Sequence, residues 1–433
     1  MNEAMQPEAP PPADYEPSKG LPPVEPPSGK MLAQFFLVPL LIVAVVGSIV
    51  AVVVWLSGSR SSPEYYLRRL DDPDPDVRWR AANDLGSDLA KSDRLASDPK
   101  FALDIADRLR QALDASAAAD KAAPAQPKNQ AEGAAKTLEA QRTFIVYLTA
   151  SLGNFMVPVG LPLLEEMAVH DDSGDTRVMT LRRRGAVWAL ANLGENLQRF
   201  DKLPADQQEA VLAELGQEAG GHLGERSRWA EVGLKVLKGR RTGHPQAPGV
   251  ADALARCAED PYPFVRQTAA LAMSYWEGNN EDNARMEKAL VTLLKDDGHG
   301  TAEEKKLLEE KDQPPAQEDS DPATQAWEIR YQAAVALARR GSDQVPLPML
   351  HDMLDEAQLL KTMHRKLKDG KEEANTADAH ATLINTLRAV VVLHQKGRDV
   401  SSLYTAIEQL SQNSTSVDVR TEADKTLIAL GRK

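Results

Sequence analysis

One pattern of apolar and polar positions recurs along the chain from residue 62 onward. A Val or Ile is followed by Arg, by one or two Ala at the fourth and fifth positions, and by Leu or Met at the eighth. These positions fall on a single stripe of a helix with about 3.6 residues per turn. The pattern therefore predicts amphipathic helices that bury one face, with small alanines that let neighbouring helices approach closely.

The pattern is clear in some copies and weaker in others. The copies at Arg142 and Arg183 keep the same phase, and only an outline of the pattern remains around Trp229 and at residues 387–397. We expect one structural unit to begin near each copy. The residues that define the repeat are Val77, Arg78, Arg183, Val265, Arg266, Ile329, Arg330, Val419 and Arg420.

Signals for helix starts precede the copies, and a second helix accompanies them. Residues 71–76 and 260–263 are rich in Asp and Pro, which supply N-cap acceptors and fit the first turn of a helix. After the copy at Ile329, residues 345–354 form a second amphipathic stretch with Leu at helical spacing. Each unit is therefore predicted to be a helical hairpin.

These features resemble those of the HEAT-repeat family, in particular its bacterial HEAT-like members. The family's Asp/Pro-rich lead, Val-Arg pair, Ala-Ala pair and closing Leu-Gly are best matched by DPDPDVRWRAANDLG and IRYQAAVALARRGSDQVPLPMLHDMLDE. The resemblance implies an all-α fold in which antiparallel helical hairpins stack into a solenoid over residues 62–433, with a concave surface for partners. It also implies that the repeat arginines join neighbouring units through acidic partners. These arginines are Arg78, Arg183, Arg266, Arg330 and Arg420.

Three segments interrupt the repeat, so the solenoid implied by the resemblance is irregular. They lie near residues 114–140, 239–249 and 296–325. The first is rich in Ala, Lys and Gln, and the last is strongly charged, so neither has the large apolar side chains that a core needs. We expect these insertions to be mobile.

Two further segments precede the repeat. Residues 1–30 are rich in Pro and poor in large apolar side chains, which predicts a disordered, acidic tail. Residues 31–57 carry no charged side chain and exceed the about 20 apolar residues that a single transmembrane helix needs. A cleaved signal peptide is the alternative, but its apolar region is shorter, about 7–15 residues. We therefore expect an uncleaved anchor that places residues 31–57 in the lipid bilayer.

The residues in and around the predicted anchor indicate its orientation in the membrane and a contact between two copies of the helix. More Arg residues follow it than Lys residues precede it, which favours a cytoplasmic solenoid and an external tail, although long domains are also translocated. Ala44 with Ser48, and Gly47 with Ala51, repeat a spacing of small residues that lets two transmembrane helices approach. Weak self-association through these four residues is therefore predicted.

Composition and charge narrow the classes of function. The chain has 51 Lys and Arg against 64 Asp and Glu, a net charge of −13, which disfavours a dedicated nucleic-acid-binding protein. Basic clusters at residues 182–184 and 235–241 keep that alternative open, because the repeats also resemble those of HEAT-like DNA glycosylases, which bind DNA through a basic concave face. The single cysteine, Cys257, excludes an intramolecular disulfide and is expected to be a buried apolar residue.

Catalytic and metal-binding motifs are missing from the sequence. Neither a GxxxxGK[ST] phosphate-binding loop nor a GxSxG nucleophile motif occurs. None of the eight His residues is followed by Glu, whereas HEAT relatives of the deoxyhypusine hydroxylase type bind a di-iron centre through His-Glu pairs. We therefore predict no catalytic, cofactor-binding or metal-binding residue.

The sequence is best interpreted as a membrane-anchored, non-catalytic scaffold. Its solenoid groove would bind a protein partner that the sequence does not identify. The alternative is a HEAT-like enzyme of the lyase type, or a nucleic-acid-binding protein of the glycosylase type.

Overall fold

The chain divides into two units, Met1–Arg60 and Ser61–Lys433. In the first unit the described residues are helical and exposed, and the Ser48 hydroxyl donates to the carbonyl oxygen of Ala44 at 2.7 Å. The computed structural model describes residues 37, 40–48, 62–122, 131–169, 176–221, 224–246, 249–298, 322–366 and 372–432.

The predicted membrane anchor is covered only in part. Within the described ranges, no helix combines the length and the apolar character that a membrane span requires. Residues 1–30 and much of 31–57, Ala51 among them, lie outside the described residues. The tail, the anchor and its self-association therefore stay predictions.

The second unit is built of helices. Short 3-10 helices at Pro158–Gly160 and Ser401–Leu403 precede two of the α-helices, and β1 (His364–Lys366) pairs with β2 (Glu372–Ala374) in an antiparallel ribbon. The prediction of an all-α fold class is thus confirmed for the described residues. The α-helices are α1 (Pro63–Leu70), α2 (Pro75–Leu89), α3 (Asp93–Ala96), α4 (Pro99–Ala122), α5 (Ala131–Gly153), α6 (Leu161–Val169), α7 (Thr176–Phe200), α8 (Ala205–Gly221), α9 (Glu225–Arg241), α10 (Val250–Cys257), α11 (Pro263–Met273), α12 (Asn280–Leu293), α13 (Pro322–Arg340), α14 (Leu347–Met353), α15 (Glu356–Thr362), α16 (Thr376–Gln395), α17 (Tyr404–Asn413) and α18 (Val417–Ala429).

Several helices begin where the sequence places an N-cap. Asp74 caps α2 by accepting the backbone N–H of Asp76 at 2.9 Å, and Pro75 occupies the first helical position. Before α11 the cap is instead Tyr262, whose backbone N–H donates to Asp260 at 2.9 Å. The Asp/Pro-rich leads are therefore helix entrances, as their composition predicts.

The copies of the repeat lie on helices that contact one another in chain order, and we call these helices the row. Each helix of the row also packs against a helix that precedes it in the sequence, for example α4 on α5, α6 on α7, α10 on α11 and α12 on α13. The row consists of α2, α5, α7, α11, α13, α16 and α18.

The copy at Trp229 is the exception. It lies on α9, which packs against α8, α4 and α6 and does not join the row. Trp229 is buried, so its apolar stripe does have a neighbour, but that neighbour belongs to a different part of the fold. A helix does begin near this copy, at Glu225, but it lies outside the row. The helices α8 and α9 form an added hairpin.

Helices reach into the predicted insertions. Within 114–140, α4 extends to Ala122 and α5 begins at Ala131, and α9 extends three residues into 239–249. Of 296–325, residues 299–321 lie outside the described residues. The mobility of these segments stays a prediction.

The motif's Ala-Ala pair is explained by packing on two sides. Buried apolar residues form two clusters, one from Tyr66 to Leu337 and one from Tyr331 to Leu430. On α13, Ala333 belongs to the first cluster and the adjacent Ala334 to the second. A helix of the row must fit between two neighbours, and small side chains permit this on both sides.

The closing glycine of the motif serves two purposes. A Cβ atom at Gly153, at the end of α5, would lie 2.7 Å from the Cα atom of Ala189, so glycine lets α5 and α7 approach closely. Gly341, after α13, has a φ of 70°, a left-handed conformation that favours glycine at a helix C-terminus.

Candidate functional site

The repeat arginines form a buried polar chain across part of the row. Arg183 Nε lies 2.9 Å from Asp260 Oδ2, and Arg266 binds both carboxylate oxygens of Asp296 at 2.7 and 2.9 Å. Asp260 and Asp296 precede the next helices of the row, so each pair joins two neighbouring units. Arg266 also donates to the Asp260 carbonyl at 2.9 Å, and Arg330 to the Asp296 carbonyl at 2.5 Å.

The other two repeat arginines contact different groups. The Arg78 guanidinium lies 5.5 Å from the ring centroid of Phe144, and Arg420 donates to the Ser414 carbonyl. Acidic partners in the next unit are thus found for Arg183 and Arg266, while Arg330 and Arg420 bind backbone carbonyls. These contacts stabilise the fold, so the repeat arginines are not the residues expected to bind a partner.

A polar cleft lies at the opposite, C-terminal ends of the row helices. It has a volume of ≈ 550 Å³ and is lined from α7, the segment after α11, α12, α13 and α16, with Arg240 and Pro245 added from α9 and the loop after it. Its lining contains five Lys or Arg side chains and three Glu side chains. The cleft therefore carries a local excess of positive charge on a chain whose net charge is −13.

Four of these cations are bound within the protein, among them Lys396, whose Nζ atom lies 3.8 Å from Glu277 Oε1. Arg240 pairs with Asp201, and Arg388 Nε donates to Glu422 at 2.8 Å. Arg340 donates to the carbonyl oxygens of Met273 and Trp276 at 3.1 and 2.6 Å, and burial lowers its pKa. Their capacity for a further ligand is therefore reduced.

Arg339 differs from these cations. Its guanidinium carbon lies 5.0 Å from the ring centroid of Tyr275, and its long hydrogen bonds reach Ser274 at 3.3 Å and Asn385 at 3.5 Å. No carboxylate pairs with it among the residues that the structure describes. A guanidinium held against an aromatic ring presents a planar fork of donors that matches a carboxylate, so Arg339 is the group in the cleft best placed to bind one.

Exposed apolar side chains lie on the first part of the same surface. On α7, Trp188 is two helical turns before Glu195, which lines the cleft, so the two share one stripe. Trp188 is 45% exposed, and Leu181 on the same stripe is 39% exposed. We call these two residues the apolar strip. Large apolar side chains that stay exposed together are typical of binding surfaces.

A carboxyl on α13 titrates near neutrality. Glu328 accepts a hydrogen bond from Gln267 at 3.3 Å, and burial, reinforced by the negative charge of Asp378, raises its pKa to about 7. It lies three helical turns before Arg339 on α13. We call the face of the row that carries the polar cleft and the apolar strip the row surface. Its charge therefore changes between acidic and alkaline pH.

The basic clusters of the sequence do not form one surface. Residues 182–184 lie on α7 and 235–241 on α9, which is outside the row. Within them, Arg182 donates to Ser116 at 2.7 Å and Arg241 pairs with Glu209. No group of three or more His, Cys, Asp or Glu suited to a metal ion occurs in the described ranges.

Sequence spacing alone contained a signal for the cleft. Arg339 and Tyr275 each stand ten positions after the first residue of their copies, at Ile329 and Val265. Equivalent positions on adjacent row helices lie side by side, so this pair was available from the repeat. Neither residue is among those that define the motif, and this is why both were missed.

Comparisons with known proteins leave the family open. No family model matches the chain, and no curated protein matches it. Among solved structures, the crystal structure of an engineered protein is 16% identical, covers 85% of this chain and 98% of its own, and has a TM-score of 0.18. A TM-score this low carries no argument about fold or function, so the HEAT resemblance stays a prediction.

Proposed function

We propose that the protein is a membrane-anchored, non-catalytic scaffold whose HEAT-like solenoid binds a protein partner along the row surface. The observation that carries the proposal is Arg339, held on Tyr275 inside a cleft and without a carboxylate partner among the described residues. A partner segment with an acidic side chain would pair with it. The apolar strip would bind apolar side chains of the same segment.

The predicted anchor would hold the bound partner at the membrane. A solenoid leaves an extended surface free for a helix or strand of a partner, and a tether raises the effective concentration of that partner at the membrane. We place the solenoid in the cytoplasm and the Pro-rich tail outside, following the distribution of positive charge around residues 31–57.

Site-specific photo-crosslinking tests the binding surface. A photoreactive residue at Gln332, one position of the row surface two turns before Arg339, is expected to give a discrete adduct in intact cells. A glutamate at position 339 repels the acidic partner, so Arg339→Glu is expected to reduce the adduct at least about tenfold. Trp188→Ala is expected to reduce it about threefold or more.

Two controls make this experiment decisive. The photoreactive residue at Gln217, exposed on α8, is expected to give no such adduct. Arg241→Glu, an equal charge reversal at an exposed arginine outside the row, is expected to leave the Gln332 adduct unchanged. Adducts that are the same from both positions, or that survive Arg339→Glu, would contradict the proposed surface.

Labelling with a membrane-impermeant maleimide tests the orientation. Cys257 is buried, its thiol donates to the Ala168 carbonyl at 3.4 Å, and burial raises its pKa to about 12, so the native cysteine is unreactive. With Cys257→Ser and Ser320→Cys together, we expect labelling only after lysis. Labelling of intact cells would place the solenoid outside the cytoplasm and overturn the proposed orientation.

A further inference from the structure

A second cavity, of ≈ 400 Å³, lies between α6, α9 and the start of α10, and we call it the Glu165 cavity. Its apolar walls are Pro162, Trp229 and Val232. It shares no lining residue with the polar cleft at the ends of the row helices. Any ligand that it binds would therefore be independent of the proposed scaffold function.

Glu165 places a carboxylate in this cavity. Its Oε1 atom is buried and has no hydrogen bond to any residue that the structure describes. Burial, with a smaller contribution from the negative charge of Asp252, raises its pKa to about 8. A buried polar oxygen without a donor destabilises the protein, so a hydrogen-bond donor supplied by a ligand would be bound favourably there.

The charged neighbours of Glu165 are occupied with one another. Arg110, on α4, binds both oxygens of Glu166 at 2.9 and 2.6 Å and lies 3.5 Å from Glu225. Asp252, on α10, pairs with Arg285. The remaining cation in the lining of the cavity is Arg228, which is exposed on α9.

The backbone makes room for this carboxylate. Gly249 has a φ of 82°, and a Cβ atom there would lie 2.3 Å from Glu165 Oε2. A side chain at this position would therefore displace the carboxylate from the cavity. The lack of one leaves Glu165 directed into a space walled by an aromatic ring and an aliphatic side chain.

We propose that the Glu165 cavity binds a primary ammonium group whose alkyl chain lies against Trp229 and Val232. An ammonium group supplies the donors that the buried carboxylate lacks and the positive charge that neutralises it. The face of an indole ring attracts such a cation, and a volume of ≈ 400 Å³ accommodates a short alkyl chain. The ammonium group would come from a lysine side chain of another protein or from a free alkylamine.

Proton release distinguishes this site from a simple apolar pocket. Below about pH 8 the Glu165 carboxyl is protonated, and an ammonium ion binds its ionised form, so binding releases one proton. The affinity should therefore rise about tenfold for each pH unit up to pH 7 and level off above about pH 8. The amine itself stays charged up to about pH 10.

Calorimetry with the full-length chain in one detergent-containing buffer tests the proposal. The probes are n-pentylamine and a capped Gly-Lys-Gly peptide, with n-pentanol as the uncharged control, and titrations in two buffers of different ionisation enthalpy measure the proton release. We expect an amine to bind, pentanol not to bind, and about one proton to be released near pH 7 but almost none near pH 9.5. Binding of the peptide alone identifies a lysine side chain as the source, and binding of pentylamine identifies a free amine.

A matched pair of variants assigns the effect to Glu165. Glu165→Gln is expected to weaken amine binding at least about tenfold, because it keeps the shape of the side chain and removes its charge. Glu408→Gln, at an exposed carboxylate on α17 that does not line the cavity, is expected to stay within about threefold of the parent. Two results would overturn the proposal: no amine binding by the parent chain near pH 8.5 at millimolar probe, or equal binding by Glu165→Gln. The first result involves no variant, so it does not depend on whether a variant folds.

Discussion

Replacing Arg266 with Ala is expected to lower the free energy of unfolding by about 3–5 kcal/mol. The Arg266 and Asp296 side chains are 9% and 8% exposed, so removal of the arginine leaves a carboxylate buried without its cation. The carbonyl oxygens of Asp260 and Pro261 lose a donor at the same time. Equilibrium unfolding in urea, followed by far-UV circular dichroism, measures the loss.

Two comparisons separate the ion pair from the loss of side-chain volume. Arg420→Ala, which removes an arginine bound to a backbone carbonyl, is expected to cost about 1 kcal/mol. The double variant Arg266→Met with Asp296→Leu is expected to recover most of the stability, because a buried ion pair replaced by apolar side chains of similar size leaves no charge behind. A loss below about 1 kcal/mol in Arg266→Ala would show that the pair does not hold the two units together.

The row is predictable from sequence because a buried stripe on each helix depends on local spacing alone. The copies at Val77, Val265, Ile329 and Val419 all lie on helices of the row. The copy at Trp229 has a similar spacing and lies elsewhere. A stripe of apolar residues shows that a helix has a neighbour, but the identity of that neighbour depends on the rest of the chain.

The partners of the repeat arginines show a second limit of prediction from sequence. Arg183 and Arg266 meet acids because Asp260 and Asp296 stand in the loops that precede the next helices of the row. Arg420, on α18, donates instead to the carbonyl oxygen of Ser414. The resemblance indicates where an arginine stands in a unit, whereas its partner depends on the loop of the following unit.

Neither candidate binding site depends on residues close in sequence. The polar cleft takes its lining from residues between Glu195 and Lys396, and the isolation of Glu165 depends on Trp229 and Gly249, which follow it by several helices. A titratable group is exceptional because of what surrounds it, and its surroundings form only when these helices pack. Sequence spacing therefore predicts the framework more completely than the sites.

Trp276 connects the row to the polar cleft, and Trp276→Ala is expected to destabilise the protein by about 3–5 kcal/mol. Its side chain is 2% exposed, and its indole N–H donates to the Leu190 carbonyl on α7 at 2.8 Å. A Cβ atom at Gly194 would lie 2.9 Å from the indole nitrogen, so α7 is fitted closely around the ring. Urea unfolding of the full-length chain measures the effect.

Graded variants show what the destabilisation consists of. Trp276→Phe keeps most of the apolar volume and loses the hydrogen bond to Leu190, so about 1–2 kcal/mol is expected. Trp188→Ala, at a tryptophan that is 45% exposed, is expected to change stability by less than about 0.5 kcal/mol while reducing the Gln332 crosslink. Equal losses from Trp276→Ala and Trp188→Ala would mean that Trp188 supports the fold, and the apolar strip could then no longer be assigned to partner binding.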